Sequence, residues 1–287
     1  MKSLYDVVIV IGYGVVTKDV LETVYVKQKQ FGYLTWYIEH EIYPFNLAMK
    51  YAKSNDIDSK TIENKNELLL FFLDVAINQR VLIISASNNY IFPKELIEMG
   101  NVDIINFHDA LLPQYPGRNA PSWVIYYGEN ETGITWHYVS SSVDAGDIVV
   151  QKVYEMPDDI KAYQLSAKLM EIAADAFKTI YDDIIVGMAE RRKQPSTNGK
   201  RKIYKSWEIP SDGVINLNDK PDNIYRILRS MDYGKNNVFP LPVADYKNGK
   251  IQIKRYKITS KKEISENKLY LPYEEQYLCL NYNSVFD

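Results

Sequence analysis

The chain has 287 residues, of which 46% are hydrophobic and 25% charged, with a formal net charge of −3. That length suffices for one large or two modest domains around a sizeable core, and the charge excludes a global basic field that would draw the protein to nucleic acid, though not a local patch. The single cysteine, Cys279, excludes an intrachain disulfide and fits a reducing cytoplasm, which is the expected location.

The opening Met1-Lys2-Ser3-Leu4-Tyr5-Asp6 lacks the small-residue cleavage site of a secretory signal. The run 7–16 is too short for a bilayer and is broken by Gly12 and Gly14, so no membrane association is expected. Residues 5–11 form a continuous apolar run ended by glycine, which suits a buried parallel strand. Gly12-Tyr13-Gly14 then turns into a helix over 17–26, followed by a strand at 33–38. Residues 44–54 predict a helix with Leu47, Ala48, Tyr51 and Ala52 on one face. Another helix follows at 66–76, a short strand at 81–84, a helical segment at 93–99 and a strand at 102–106. This alternation predicts an α/β fold built on a doubly wound parallel, Rossmann-like sheet. Ligands in such sheets sit beyond the carboxyl ends of the strands, where Asn106 and His108 lie.

Residues 121–127 read as helical, and 133–139 and 147–154 as two strands joined by a turn holding Asp144-Ala145-Gly146. A long amphipathic helix over 162–187 should cover the sheet. Residues 191–193 and 194–199 form a polar, breaker-rich linker, and the texture changes from Ser211 on. Beyond it, a short helix at 221–231 and alternating strands at 250–258 and 268–271 predict a small, mostly β domain. The organisation expected is a catalytic domain at 1–190, a linker at 191–207 and a C-terminal domain at 208–287.

Asn106 and His108 are separated by one residue on an extended segment, so their side chains share a face. Attack of an amine on an acyl carbon generates an oxyanion and an ammonium. An Asn amide donates to the oxyanion, worth roughly 3 kcal/mol by analogy with oxyanion-hole variants. A protonated His is a stronger, charge-assisted donor, and a nearby carboxylate favours that protonated ring and relays the ammonium proton. Asp144, on a turn after the next strand, supplies that carboxylate. No spacing of His, Cys or carboxylates suggests a metal.

Asn106-Phe107-His108, Leu111-Leu112-Pro113, Tyr115-x-Gly117 and Gly133-Ile134-Thr135-x-His137-x-Val139, followed by Val143-Asp144-x-Gly146-x-Ile148, resemble the folate-dependent formyltransferases in order and spacing over roughly the first 190 residues. Residues 212–216 and 224–231 resemble the start of that family's C-terminal domain, a small barrel in longer members. The resemblance implies 10-formyltetrahydrofolate as the donor and Asn106, His108 and Asp144 as the catalytic set. It also implies a pterin site along Ser85, Ala86, Ser87, Asn88 and Tyr90 and the Leu111, Leu112, Pro113 loop, close to Val143 and Asp144. Trp136 stands where a smaller β-branched residue is common, and Ser141 where an acidic or apolar one is common.

Arg118, Asn119 and Trp123 are candidates for the acceptor side, with helix packing as the competing role for Trp123. His137 is compatible with shaping the cleft and with simple packing beside Trp136. Gly12-Tyr13-Gly14 is read as a plain strand-to-helix turn, since Thr17 occupies the third glycine position of a dinucleotide fingerprint. The basic runs 191–193 and 200–202 with Lys205 suit either phosphates or a solvated linker.

Initiator tRNA as acceptor would call for a substantial basic surface. The stretch 24–43 has only Lys27 and Lys29 against Glu39 and Glu41, which argues against it and against nucleic-acid partners generally. The favoured acceptor is a nucleotide-linked amino sugar (dTDP- or UDP-linked). An amino acid or hydroxyornithine-type amine is the alternative, and a folate-binding protein without catalysis is the non-enzyme one. A homodimer is compatible with the small β domain.

Overall fold

The computed structural model describes residues 1–196, 202–236, 238–263 and 265–285. Within it the chain divides into two compact units. The first comprises Met1–Pro116, Gly133–Tyr154 and Lys168–Ile203, and the second Gly117–Thr132, Glu155–Ala167 and Tyr204–Asp287. Packing thus divides the chain differently from contiguous domains at 1–190 and 208–287: two insertions group with the C-terminal segment.

Seven strands order as β3-β2-β1-β4-β5-β6-β7, with β1 Val7–Gly12, β2 Leu34–Glu39, β3 Asp58–Thr61, β4 Val81–Ala86, β5 Val102–His108, β6 Glu131–Tyr138 and β7 Ile148–Glu155. The first five are parallel, with β1 between β2 and β4. β6 runs antiparallel to β5, so the sheet is mixed rather than wholly parallel. β6 is buried from Thr132 to Tyr138, and burial on both faces encodes no strand direction, which is why the sequence does not reveal this reversal. Every residue of β1 and β4 is buried. The short, largely exposed β3 has no apolar alternation and is absent from the sequence expectation.

Helix α1 runs Gly14–Phe31, three residues earlier and five later than expected, and buries Val16, Val20 and Val24 with Thr17 and Leu21 as one stripe. Gly32, at φ 76°, ends it in the left-handed conformation that glycine adopts without steric cost. α2 (Leu47–Ser54) starts later than the sequence suggests, because the Asn46 side chain caps it by accepting from the Ala48 and Met49 amides. Asn64 caps α3 (Lys65–Val75) in the same way. α4 is only Lys94–Ile97. α3 lays Leu68 and Phe72 into a core with Ile9, Ile11, Ile38, Ile83, Tyr90 and Phe92. α6 (Ala162–Ile185) ends two residues short of the predicted Gly187. Trp136 is fully buried, its indole N–H donating to the Ala173 carbonyl at 3.0 Å and its ring packed on Phe107 and Phe177.

In the second unit, α5 (Ala120–Tyr127) and α7 (Pro221–Met231) accompany a four-stranded antiparallel sheet. Its order is β10 (Lys268–Tyr273), β11 (Gln276–Val285), β9 (Gly249–Thr259), β8 (Val243–Tyr246). β8 and β11 are additions to the sequence expectation. Ile224, Ile227, Leu228 and Met231, on one face of α7, meet Ile251, Ile253, Leu278 and Leu280. Cys279 is buried in β11. Among the described residues no helix is long and apolar enough to cross a membrane.

Candidate active site

The last residues of β5 carry Asn106 and His108, and the antiparallel β6 sets His137 directly opposite Asn106 and Thr135 opposite His108. The turn after β6 brings in Asp144, whose φ of 48° is left-handed. It is held close by Gly146: a Cβ there would lie 1.8 Å from the Tyr138 carbonyl oxygen, so no other residue fits.

These elements bring the side chains of Asn106, His108, His137 and Asp144 together. His108 Nδ1 lies 3.7 Å from Asp144 Oδ2, and His137 Nε2 lies 3.6 Å from Asp144 Oδ1. Both rings are almost wholly buried, and the carboxylate is 13% exposed. Each ring's other nitrogen faces a main-chain carbonyl: His108 Nε2 the Tyr115 oxygen at 2.9 Å, His137 Nδ1 the Tyr138 oxygen at 2.9 Å. A carbonyl only accepts, so these two nitrogens carry N–H, which assigns the tautomers. The carboxylate therefore sits between two ring nitrogens that are bare in the neutral imidazoles. One added proton on either ring turns a lone-pair contact into an ion pair.

Asn106 is oriented from the opposite side. Ser85 Oγ, at the end of β4, donates to Asn106 Oδ1 at 2.7 Å and accepts from Asn88 Nδ2 at 3.3 Å. The amide nitrogen accordingly donates to Phe107 O at 3.1 Å and to His137 Nε2 at 3.3 Å. Thr135 supports the loop beyond β5: its hydroxyl donates to Ala110 O and accepts from the Leu112 amide and from Gln151 Nε2.

The residues assigned to the donor divide by what they already do. The Ser85 hydroxyl is committed to Asn106, and the Leu112 amide and carbonyl to Thr135 and Gln151. Ala86 is buried where β4 meets β1: a Cβ on Gly12 would lie 1.7 Å from the Ala86 oxygen, which also accepts from Thr17 Oγ1. Gly12 thus serves close strand packing. The Tyr90 ring is in the core against Phe72, Phe92 and His40. Ser87 has φ 51°, and its carbonyl accepts from the Tyr13 amide. Leu111 and Pro113 are half-buried and Val143 is exposed beside Asp144. At the carboxyl ends of β1, β2 and β4, a shallow depression is lined by Gly12, Tyr13, His40, Glu41, Asn88 and Asn89. Tyr13 stacks there on Tyr43 with ring centroids 3.8 Å apart.

Arg118, Asn119 and Trp123 belong to the second unit. There the Arg118 amide donates to Tyr204 O, Asn119 starts α5 at φ 57°, and Trp123 is 4% exposed and stacked on Tyr204 at 4.5 Å, a packing role. Arg191 pairs with Asp103 at 2.8 Å and lies over the Tyr138 ring, while Lys200 and Arg201 fall outside the described residues. Sequence reasoning missed the Ser85–Asn106 bond and the opposition of His137 to Asn106. The Gly-Ile-Thr-x-His pattern was the available signal for the latter, once β6 is known to run antiparallel to β5. Among the described residues no group of three or more His, Cys, Asp or Glu is placed to hold a metal ion.

Residues 45–180, which contain all four of these side chains, match the family described as formyl transferase. The methionyl-tRNA formyltransferase of Clostridioides difficile (strain 630) is 28% identical over 191 residues, covering 67% of this chain but only 59% of that protein's length. The N-formyltransferase from Helicobacter canadensis, solved with folinic acid and dTDP-3-aminofucose, superposes with a TM-score of 0.67 at 18% identity, covering 98% of this chain and 100% of that one. WlaRD, a sugar 3N-formyl transferase solved in the presence of dTDP and 5-N-formyl-THF, gives a TM-score of 0.70 at 18% identity over 96% and 97% of the two chains. Residues 45–180 thus resemble the formyl transferase family, and the mixed seven-stranded sheet with a further antiparallel sheet is the fold of these solved N-formyltransferases.

Proposed function

We propose that the protein is a one-carbon transferase that moves the formyl group of 10-formyltetrahydrofolate to a primary amine on a small acceptor, by preference a nucleotide-linked amino sugar. The observation that carries the reading is the Asp144 carboxylate held 3.6–3.7 Å from both His137 and His108 beside an amide fixed by Ser85. The donor set suits an acyl transfer: an oriented N–H, a buried imidazole and a nearly buried carboxylate. The bound donor supplies an acyl carbon whose oxygen gains negative charge as the amine adds. Protonation of His137 at Nε2 ends its acceptance of the Asn106 N–H and frees that N–H for the oxygen. A protonated His108 adds positive charge at the same end of β5, paired with Asp144. Asp144 receives the ammonium proton, directly or through one water; as the tetrahedral adduct collapses, the bond from the formyl carbon to N10 of the donor breaks and N10 takes up that proton, so that tetrahydrofolate leaves and the acceptor keeps the formyl group as an amide. Leu111, Pro113 and Val143 offer apolar surface for the pterin ring, and the main chain around Asn88 offers polar groups.

The sugar acceptor is supported by the likeness to the two sugar-acting enzymes, which extends over nearly the whole chain. The sequence relative acts on methionyl-tRNA, which keeps that acceptor as the second reading. Arg118 and Asn119 remain the proposed acceptor contacts, in a cytoplasmic enzyme. The deciding experiment incubates the protein with 10-formyltetrahydrofolate and dTDP- and UDP-linked amino sugars, ornithine, hydroxyornithine and charged initiator tRNA, and reads a mass gain of about 28 Da expected for a formyl group. Formylation of a sugar nucleotide alone is the expected result. Formylation of tRNA or of the amino acids alone overturns the acceptor assignment, and no formylation of any amine overturns the activity.

A further inference from the structure

The segment just after the α6 region, which reads as a polar linker, is built onto the Asp144 turn. Arg192 exchanges two main-chain hydrogen bonds with Ile148, at 2.9 and 2.7 Å, in an antiparallel bridge. Arg191 is tied down by Asp103 and by the face of Tyr138, 3.6 Å from its guanidinium carbon. Arg192 Nη2 reaches Gln151 Oε1 at 2.9 Å. Two residues on, the Gln194 amide nitrogen donates to the carbonyls of both Asp144 and Gly146, each at 2.8 Å. Gln194 is half-buried, whereas 191–193 and 195–196 are exposed, so its side chain is the one that turns inward. It lies outside the matched family segment at residues 45–180.

We infer that Gln194 is a positioning residue for formyl transfer, an inference that rests on the function proposed above: its amide clamps the turn that presents Asp144 to His108 and His137. Both N–H groups of one primary amide are used on the two carbonyls that bracket Ala145. Asp144 is in the left-handed region, which a non-glycine residue holds only when its surroundings impose it. The preceding residues 141–143 are exposed and give the turn little packing of their own. Asp144 faces two rings at once, one through each carboxylate oxygen at 3.6–3.7 Å, so a displacement of the turn alters both contacts. A displacement of about 1 Å in such a set costs on the order of 10²-fold in rate.

The test compares wild type with Gln194→Leu, which removes both donors, Gln194→Glu, which keeps the shape but faces acceptors with acceptors, and Gln194→Lys, which keeps N–H donors. Hydrogen–deuterium exchange of the peptide spanning 139–148 is read beside kcat on the best acceptor of the panel. Leu and Glu should raise exchange in that peptide alone and lower kcat by roughly 10- to 100-fold, with the melting temperature held, while Lys restores both toward wild type. Unchanged exchange at 139–148 overturns the clamp. Raised exchange with wild-type kcat overturns its role in the reaction. Exchange raised throughout the chain makes Gln194 a general stability residue and also overturns it. Should wild type transfer no formyl group, the functional reading falls by itself, and the exchange data still decide whether Gln194 holds the turn.

Discussion

Replacing Asp144 by Asn keeps the side-chain shape and removes the charge between two imidazoles. Two unit charges at the observed 3.7 Å attract by roughly 4 kcal/mol at an effective dielectric of about 20. Side-chain exposure of only 13% limits solvent screening, and water cannot easily replace the lost carboxylate. If that attraction acts as charge develops on the formyl oxygen, its loss translates to about 10³-fold in kcat, at about 1.4 kcal/mol per decade. Loss of the proton acceptor adds to the effect. The assay is formyl transfer under saturating donor and acceptor, followed by mass spectrometry, with circular dichroism and thermal unfolding to show that the fold is retained. A loss below tenfold in a folded Asp144→Asn protein would refute the mechanism, since it would mean that neither histidine depends on the carboxylate and that the ammonium proton leaves by another route.

Ser85→Ala removes the hydroxyl that fixes the Asn106 amide and should lower kcat roughly tenfold with little change in KM, the value of about one buried hydrogen bond. Steady-state kinetics check it, and a KM effect alone would make Ser85 a binding residue. Gly12→Ala would place a Cβ 1.7 Å from the Ala86 oxygen at φ 141°, so a loss of about 3 kcal/mol or more in stability is expected, read by chemical denaturation. In the second unit, burial pushes the Asp232 carboxyl up, but hydrogen bonds from the Tyr256 hydroxyl and Lys161 outweigh it and hold it below the usual carboxylate range. The folded value being the lower one, this stabilisation is present above the unfolded carboxylate pKa near 4 and is lost as pH falls through the folded value. Asp232→Asn should therefore lower the melting temperature at neutral pH and flatten its decline in acid; equal melting curves for the two proteins at all pH values would refute this.

Much of this protein is legible from local chemistry alone. Strand β1 is a continuous apolar run ended by Gly12, and burial of both faces of a strand leaves no other composition open. The Asn106-x-His108 spacing places two side chains on one face of any extended segment, so that half of the candidate site follows from the backbone repeat alone. The stripe on α7 is equally local, because its four core residues recur at helical spacing. What required the tertiary structure is everything that depends on strand direction and on partners distant in sequence. The reversal of β6 sets His137 against Asn106, and direction is decided by how strands pair, not by their composition. Edge strand β3 carries no alternation, because it buries neither face. Ser85 meets Asn106 from 21 residues away and Gln194 meets Asp144 from 50, distances over which no periodicity speaks. A glutamine in a run of Arg, Lys, Pro and Ser has the composition of a solvated linker, and only the close approach of that strap to the Asp144 turn turns its amide inward.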